Sequence, residues 1–196
     1  MTQYLYLMRH GETLFNQLNK VQGACDSPLT QLGISQAHDA KEYFKSAGIS
    51  FDSAFSSTQE RASDTLEIIT TLPYQRLKGL KEMNFGLFEA QSVFLQPKGP
   101  ESFENFYVRY GGESADSVRK RVFETLTSIM QQKENTNVLA VSHNGTCFFF
   151  LSQIWKEDLG IQPIHLPNCG IIKLGFNNDA FEFLGLIDPT QHNDQD

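Results

Sequence analysis

The sequence has few cysteines, no long apolar run and no cluster of basic residues. Its three cysteines, Cys25, Cys147 and Cys169, are an odd number at wide spacing, which fits neither a disulfide framework nor a zinc site. Lys and Arg number 16 against 23 Asp and Glu, a net charge of -7, so attraction to nucleic acid or to anionic membranes is not expected. The richest apolar run, residues 147–151, is far shorter than the roughly 20 residues of a membrane span.

The N-terminal residues also lack the features of a secretory leader. They carry no basic start, and Arg9 and His10 interrupt the apolar run early. Wide cysteine spacing and the absence of a leader predict a cytoplasmic protein. With 196 residues, 40% of them apolar and 16 of them Phe, the chain is expected to form a single domain over 1–196.

Hydrophobic periodicity predicts strands that alternate with helices. The predicted strands are 4–8, 51–56 and 138–141, and the predicted helices are 30–47, 62–72 and 114–132. Thr30 is the candidate N-cap of the first helix, with Gly48 just past its end, and Ser57 or Thr58 is the candidate cap of the second. Continuous apolar strands of this kind favour an α/β class, with a mostly parallel central sheet covered by helices on both faces. Residues 170–176 and 180–187 flank Asn177-Asn178-Asp179 and predict a C-terminal antiparallel hairpin. The tail from Asp188 is expected to be loosely ordered.

Residues 85–112 interrupt this alternation and predict an insertion beside the site. The segment is rich in Gly and Pro and carries seven aromatic residues: Phe85, Phe88, Phe94, Phe103, Phe106, Tyr107 and Tyr110. Two interpretations stay open, because these rings either form an apolar pocket for a leaving group or pack the insertion onto the core.

Polar residues follow three of the predicted strands, where parallel sheets bind ligands. The three segments are Arg9-His10-Gly11-Glu12-Thr13 with Asn16, Ser57-Thr58-Gln59-Glu60-Arg61, and Ser142-His143-Asn144-Gly145. Each alone has a structural explanation as a turn, a surface charge or a buried histidine. Together they bring two Arg and two His to one edge, a costly cationic cluster unless an anion lies among them. Phosphate suits guanidinium donors best, so phosphoryl chemistry is predicted.

The chain resembles the histidine phosphatase superfamily, which includes the cofactor-dependent phosphoglycerate mutases. The matching residues occur in the family's order: Arg9-His10-Gly11-Glu12-Thr13 with Asn16, Gln22-Gly23, Leu29-Thr30 with Gly33 and Gln36-Ala37, Ser57 with Arg61-Ala62 and Thr65, Glu82, and Ser142-His143 with Gly145. Two positions depart from the family pattern, since Ala90 and Asn144 stand where a Gly is usual or frequent.

The resemblance implies a role for each matching residue. His10 is the expected nucleophile, and Glu82 is the expected acid and base, with Glu12 as the weaker rival. Further expected phosphate or substrate contacts are Arg9, Arg61, His143, Asn16, Gly11, Thr13, Gln22 and Asn144. Gly11 has a second interpretation as an ordinary turn residue, and His38, His165 and His192 are assigned no catalytic role. The resemblance implies no metal and no cofactor.

Three functions remain to be separated. The preferred one is a phosphatase acting on a small-molecule phosphate ester, because residues 85–112 offer only Lys98 and Arg109 against three Glu residues, too few cations for a phosphoglycerate. The alternatives are a phosphoglycerate mutase and a non-catalytic module that binds phosphorylated ligands. The loop after the first strand has no Gly-x-Gly-x-x-Gly pattern, so a dinucleotide-binding enzyme is set aside. A homodimer is compatible with the sequence, which does not decide the oligomeric state.

Overall fold

The computed structural model describes residues 3–154 and 166–194, so His165 lies outside the described residues. The six strands are β1 Gln3–Arg9, β2 Ser53–Ser57, β3 Tyr74–Leu77, β4 Asn137–Ser142, β5 Ile171–Asn177 and β6 Ala180–Ile187. The α-helices are α1 Leu14–Gln17, α2 Gln31–Ser46, α3 Glu60–Ile69, α4 Ala115–Met130 and α5 Asn144–Ile154. Among the described residues, no helix combines the length and apolar character that crossing a membrane requires.

The strands form one mixed sheet in the order β3-β2-β4-β1-β5-β6. The first four in that order are mutually parallel, whereas β5 pairs antiparallel with β1 and β6 pairs antiparallel with β5. The predicted α/β class with a C-terminal antiparallel hairpin is therefore confirmed. The short strand β3 was missed because its sequence, Tyr-Gln-Arg-Leu, is polar in the middle and lies at the sheet edge.

Each face of the sheet packs against a different pair of helices. Along β1, Leu5 and Leu7 point to the face covered by α4 and α5, while Tyr6 and Met8 point to the face covered by α2 and α3. Strand β4 alternates in the same way, so both central strands are buried on both sides. This two-sided burial explains why the sequence shows continuous apolar strands rather than alternating ones.

The helix termini show which capping predictions were right. Helix α2 begins after Thr30, whose hydroxyl accepts a hydrogen bond from the Gly33 N–H, and Gly48 follows its end with φ +66°. Helix α3 was expected to be capped by Ser57 or Thr58, which is wrong: its cap position is Gln59, with no side-chain capping bond. Instead the Glu60 N–H donates to the Asp26 carboxylate at 2.5 Å, so a distant loop satisfies this helix end.

The C-terminal hairpin forms as predicted, whereas the prediction for the tail after it is wrong. Asn178 and Asp179 form the turn with φ +51° and +59°, a left-handed conformation that these residue types tolerate. The tail was expected to be loosely ordered, but Pro189–Asp194 forms a 3-10 helix beside α2, with Pro189 buried.

The 85–112 insertion contains short 3-10 helices instead of long regular elements. Its rings pack around the fully buried Tyr107, which contacts Phe85, Phe88 and Phe106 edge to face and Phe103 in a tilted arrangement, with centroid distances of 4.9 to 5.7 Å. Tyr110 joins this cluster through other rings, and Phe94 alone among the seven stands 84% exposed. Packing therefore accounts for six of the seven aromatic residues.

Ala90 adopts a backbone conformation that favours glycine, with φ +62°. Its N–H donates to the Val21 carbonyl, and the Val21 N–H donates to the Gln91 carbonyl, so the chain is held on both sides. A left-handed alanine costs roughly 1 kcal/mol relative to glycine, so Ala90→Gly should raise the free energy of unfolding by about that amount. Urea denaturation measures this change. Ala47→Gly, at an exposed position with φ -75°, is the matched control and should lower stability slightly.

Candidate active site

The carboxyl ends of β1 and β4 bring the two predicted histidines together. Arg9 pairs with Ser142 in the parallel register, and the His10 N–H donates to the Ser142 carbonyl at 3.1 Å. The rings of His10 and His143 follow directly, with centroids 5.2 Å apart. Both side chains are almost completely buried.

The tautomer of His10 is determined by its two ring contacts. Nδ1 lies 2.7 Å from the Gly11 carbonyl oxygen, which can only accept, so Nδ1 carries the proton. Arg61 Nε donates to Nε2 at 3.3 Å, which requires a lone pair on that nitrogen. Both contacts assign the Nδ1–H tautomer to neutral His10, with Nε2 available as the nucleophilic atom.

Burial and neighbouring cations keep both histidines neutral. The pKa of His10 lies well below 6.5, mainly because the ring is buried and then because Arg61 and Arg9 repel a proton. The pKa of His143 is lowered by burial and by Arg61 in the same way. A neutral imidazole is the form that can attack phosphorus, so this environment suits a nucleophile at neutral pH.

Arg61 is fully buried and all five of its N–H groups are directed at protein acceptors. Nε donates to His10, as described above. Nη2 donates to the carbonyls of Gln22 (3.4 Å) and Gly23 (3.1 Å), and Nη1 donates to the carbonyl of Cys25 (3.0 Å). The fifth goes to the Asp26 carboxylate at 2.8 Å. The guanidinium therefore faces His10 with Nε and the segment 22–26 with its fork.

This arrangement corrects the predicted electrostatic cost of the cluster. The sequence suggested two Arg and two His repelling one another, but the two histidines are neutral and Asp26 forms an ion pair with Arg61. The positive charge at the strand ends is therefore smaller than the sequence implied. Of the two arginines at this edge, Arg61 pairs with Asp26, whereas Arg9 forms no ion pair with the described residues.

Three polar groups near His10 are buried without a hydrogen-bond partner among the described residues. They are Arg9 Nε and the two ring nitrogens of His143, while Arg9 also donates from Nη1 to the Leu166 carbonyl at 2.7 Å. Buried polar groups are nearly always hydrogen-bonded, and exceptions cluster at functional sites. Asn144 Oδ1 is a fourth such atom, beside His143 in the chain.

Glu82 is buried and holds the first turn of α5. Its carboxylate accepts from the backbone N–H groups of Met83, Gly145 and Thr146, all at 2.9 Å, and from the Thr146 hydroxyl at 3.0 Å. A helix N-terminus favours a carboxylate. Helix α5 begins immediately after His143, so the hydrogen bonds from Gly145 and Thr146 hold the Glu82 carboxylate two to three residues from that histidine along the chain.

Two further residues fix the backbone of Glu82. The Glu82 N–H donates to Gln59 Oε1 at 2.9 Å, and Arg121 on α4 donates to the Glu82 carbonyl at 3.1 Å. Arg121 also donates to the carbonyls of Gly79 and Lys81. The rival acid, Glu12, instead accepts from the Thr30 hydroxyl at 2.7 Å, so its carboxylate is directed toward the start of α2.

Asn16 presents an oriented amide beside the His10 loop. Its Oδ1 accepts from the Thr13 N–H at 3.1 Å and from Asn168 Nδ2 at 3.3 Å, so the amide oxygen faces protein and Nδ2 faces the other way. Thr13 and Gln22 are committed to protein contacts as well, since the Thr13 hydroxyl donates to Gln22 Oε1 at 2.7 Å and Gln22 Nε2 donates to Ser27 at 2.9 Å. In this structure the side chains of Thr13 and Gln22 connect neighbouring loops to each other.

Tight packing against α2 explains why position 11 is a glycine, an explanation that neither sequence interpretation included. A Cβ at Gly11 would lie 2.5 Å from the Gly33 carbonyl oxygen, so the His10 loop packs directly on the α2 backbone. The Gly11 N–H donates to the Thr65 hydroxyl at 3.0 Å. Close approach to α2, rather than a special turn conformation, explains the glycine.

Sequence reasoning missed five residues that organise this site: Asp26, Gln59, Glu89, Arg121 and Asn168. Gln59 lies in the segment that follows the second predicted strand but was assigned no role there, whereas Asp26, Glu89, Arg121 and Asn168 follow no predicted strand and were therefore not selected. Their contacts are to the backbone or to other polar side chains of segments distant in sequence, and only the folded chain brings these together.

The buried histidines predict a specific dependence of stability on pH. Because His10 and His143 have folded pKa values well below 6.5, the unfolded chain binds more protons as the pH falls. Stability is fully present above about pH 6.5 and should fall below it by up to about 1.4 kcal/mol per pH unit for each histidine. His143→Gln should reduce this slope in urea denaturation, and His38→Gln, at an exposed position, should not. Equal slopes for wild type and His143→Gln would contradict the assignment.

Comparison with known proteins supports the same grouping. The sequence pattern of the histidine phosphatase superfamily (branch 1) matches residues 5–189. The uncharacterized phosphatase PhoE of Bacillus subtilis is 31% identical over 178 residues, covering 89% of each chain. The probable phosphoglycerate mutase GpmB of Proteus mirabilis is 30% identical over 201 residues, covering 95% of this chain and 91% of that protein.

Solved structures extend the comparison to the fold. Phosphoglycerate mutase from Bacillus anthracis superimposes with a TM-score of 0.82 at 22% identity, covering 96% of this chain and 94% of that one. Phosphoserine phosphatase from Entamoeba histolytica, in complex with 3-phosphoglyceric acid, gives a TM-score of 0.77 at 27% identity, covering 94% and 96%. The match over nearly the whole length shows that the chain belongs to the histidine phosphatase superfamily.

Proposed function

We propose that this protein is a phosphatase that hydrolyses a small-molecule phosphate monoester through a phosphohistidine on His10. The observation that carries the proposal is the environment of His10 Nε2. This nitrogen has its lone pair assigned by two contacts, belongs to a neutral ring, and lies next to Arg61 with the His143 ring 5.2 Å away, centroid to centroid.

In the first step, the Arg61 Nε–H leaves His10 Nε2 for a phosphoryl oxygen, and the freed Nε2 lone pair attacks phosphorus, forming an N–P bond as the ester P–O bond breaks. Arg9, Arg61 and His143 are the proposed donors to the phosphoryl oxygens, with Asn16 Nδ2 as a neutral donor. Arg9 Nε and the His143 ring nitrogens support this assignment, because they are buried and unpartnered among the described residues.

The proton for the departing alkoxide is assigned to Glu82. In the second step, water adds its oxygen to phosphorus while the N–P bond breaks, and Glu82 takes the water proton. No metal is expected, since Arg and His donors provide the charge stabilisation. All five Arg61 N–H groups are directed at protein acceptors, so Arg61 donates to phosphate only when one or more of its contacts to His10 and to residues 22–26 are exchanged for phosphoryl oxygens.

A phosphoglycerate mutase is the second candidate, and one feature favours it. A cavity of about 290 Å³ borders Glu82 and is lined by cations that the count over residues 85–112 left out. Lys78 and Lys81 lie in its wall, together with the Arg121–Glu113 ion pair. Of the proposed catalytic residues only Glu82 lines this cavity, so a leaving group with a carboxylate would have to extend from the phosphate past Glu82 to reach Lys78 and Lys81. Among the relatives, both phosphatase and mutase names occur.

A panel of phosphate esters assayed by released phosphate, with and without a chelator, tests the proposal. We expect release that is insensitive to chelator, from one or more monoesters. Mutase turnover primed by 2,3-bisphosphoglycerate, exceeding hydrolysis, would favour the second candidate. Binding of inorganic phosphate with no turnover on any ester would instead favour a non-catalytic module.

A further inference from the structure

Glu89 is a residue of the 85–112 insertion whose side chain contacts the segment 22–25 beside Arg61. Its carboxylate accepts hydrogen bonds from four backbone N–H groups, those of Gly23 (3.0 Å), Ala24 (2.7 Å), Cys25 (3.1 Å) and Phe85 (2.9 Å). Hydrogen bonds to an ionised acceptor are among the stronger ones in proteins. One side chain therefore ties the segment 22–25 to the start of the insertion.

The same segment contacts Arg61 through its carbonyls. Gln22, Gly23 and Cys25 each accept a hydrogen bond from the Arg61 guanidinium. The segment 22–25 thus gives its N–H groups to an anion and its C=O groups to a cation. Each interaction orients the peptide dipoles in the sense that strengthens the other.

The packing between Glu89 and this segment leaves no room for a side chain at Gly23. A Cβ there would lie 2.5 Å from Glu89 Oε1 and 2.1 Å from the Met83 carbonyl oxygen. The close approach to glycine is therefore part of the contact. Ala90 follows Glu89 directly, and its N–H donates to the Val21 carbonyl at 2.9 Å, so the backbone next to Glu89 is held beside the segment.

We propose that Glu89 is a positioning residue for catalysis: through the segment 22–25 it holds the Arg61 guanidinium against His10. The inference rests on the proposed role of His10 and deepens it. Glu89 itself contacts neither His10 nor Arg61 in the hydrogen bonds described, so it acts through the peptide segment.

Substituting Glu89 by glutamine separates charge from positioning, because the two effects on His10 have opposite signs. The charged and titratable groups that face His10 are Arg9, Arg61 and His143. Removing a negative charge from the surroundings would by itself lower the pKa of His10 further. Releasing Arg61 would raise it, because a repelling cation moves away from the ring.

The test measures the pKa of His10 by NMR titration of the imidazole nitrogens in Glu89→Gln and wild type. Glu42→Gln is the matched control, because Glu42 lies on the surface of α2 and pairs only with Lys45 in the described salt bridges. We expect the pKa of His10 to rise in Glu89→Gln and to stay unchanged in Glu42→Gln. We also expect kcat to fall roughly tenfold to a hundredfold, the scale of a displaced catalytic contact.

An unchanged or lowered pKa of His10 in a folded Glu89→Gln protein would overturn the proposal. Glu89→Asp serves if the amide variant does not fold, because it keeps the charge but is too short to reach all four N–H groups, and the same rise is expected. The titration requires no turnover. If wild type showed no phosphatase activity, the proposed function would be overturned. The pKa of His10 in Glu89→Gln would still show whether Glu89 holds Arg61 against His10.

Discussion

His10→Ala should abolish hydrolysis, lowering kcat by about 10⁴- to 10⁶-fold, as expected when an enzyme loses its nucleophile. The physical reason is specific to this ring, since Nε2 carries the lone pair and Nδ1 is fixed by the Gly11 carbonyl. No phosphoryl group should then be transferred to the protein. Rapid-quench trapping with a labelled ester measures this directly, because a phosphohistidine is stable in base and labile in acid.

Two control variants make the outcome decisive. His38→Ala changes an exposed histidine on α2 and should leave both labelling and turnover as in wild type. His143→Ala should slow the reaction yet still permit a phosphoenzyme to form. Labelling that survives in His10→Ala and disappears in His143→Ala would assign the nucleophile to His143 instead.

The central sheet and the pair of histidines were predictable because they obey local rules. Apolar runs fix the strands, parallel pairing brings strand ends to one edge, and the residues that follow those ends must meet there. The register between Arg9 and Ser142 fulfils that expectation and places His10 beside His143. Sequence patterns of this kind give the position of a residue but not the partner of its side chain.

The partners of Arg61 show where such reasoning ends. A buried arginine in the first turn of α3 was expected to face phosphate with its fork, yet the fork faces the loop 22–26 and Asp26. No periodicity or spacing relates Asp26 to Arg61, which lie 35 positions apart. The contact depends on the path of an irregular loop, and such paths are set by many weak tertiary contacts rather than by local propensity.

The role of the aromatic residues in 85–112 was left open by the sequence for a different reason. Seven aromatic residues in one segment fit a ligand pocket or a local core equally well by composition. In the structure Phe85, Phe88 and Phe106 each pack edge to face with Tyr107, in the arrangement that aromatic pairs prefer. Packing against Tyr107 is therefore sufficient to explain these rings, without a role in binding a leaving group.

Glu82→Gln should lower kcat roughly 10²- to 10³-fold, within the range of a general acid and base, while leaving the affinity for inorganic phosphate nearly unchanged. Glutamine is close in shape to glutamate, and its oxygen can still accept from the Met83 and Thr146 N–H groups while its NH2 faces the Gly145 N–H, so the start of α5 should persist with one hydrogen bond lost. The proton supply would be lost, and esters with poor leaving groups should suffer most. An activated aryl ester, whose leaving group needs no proton, should be spared in the first step.

Comparing leaving groups therefore distinguishes acid catalysis from simple damage to the site. A structural defect would slow activated and unactivated esters by the same factor, whereas loss of the acid slows them unequally in phosphoenzyme formation. Glu12→Gln is the matched variant, because Glu12 is the rival carboxylate and contacts Thr30 at the start of α2. If Glu12→Gln showed the leaving-group dependence and Glu82→Gln did not, the acid would be Glu12. The four hydrogen bonds to Glu82 would then serve only to hold α5 beside His143.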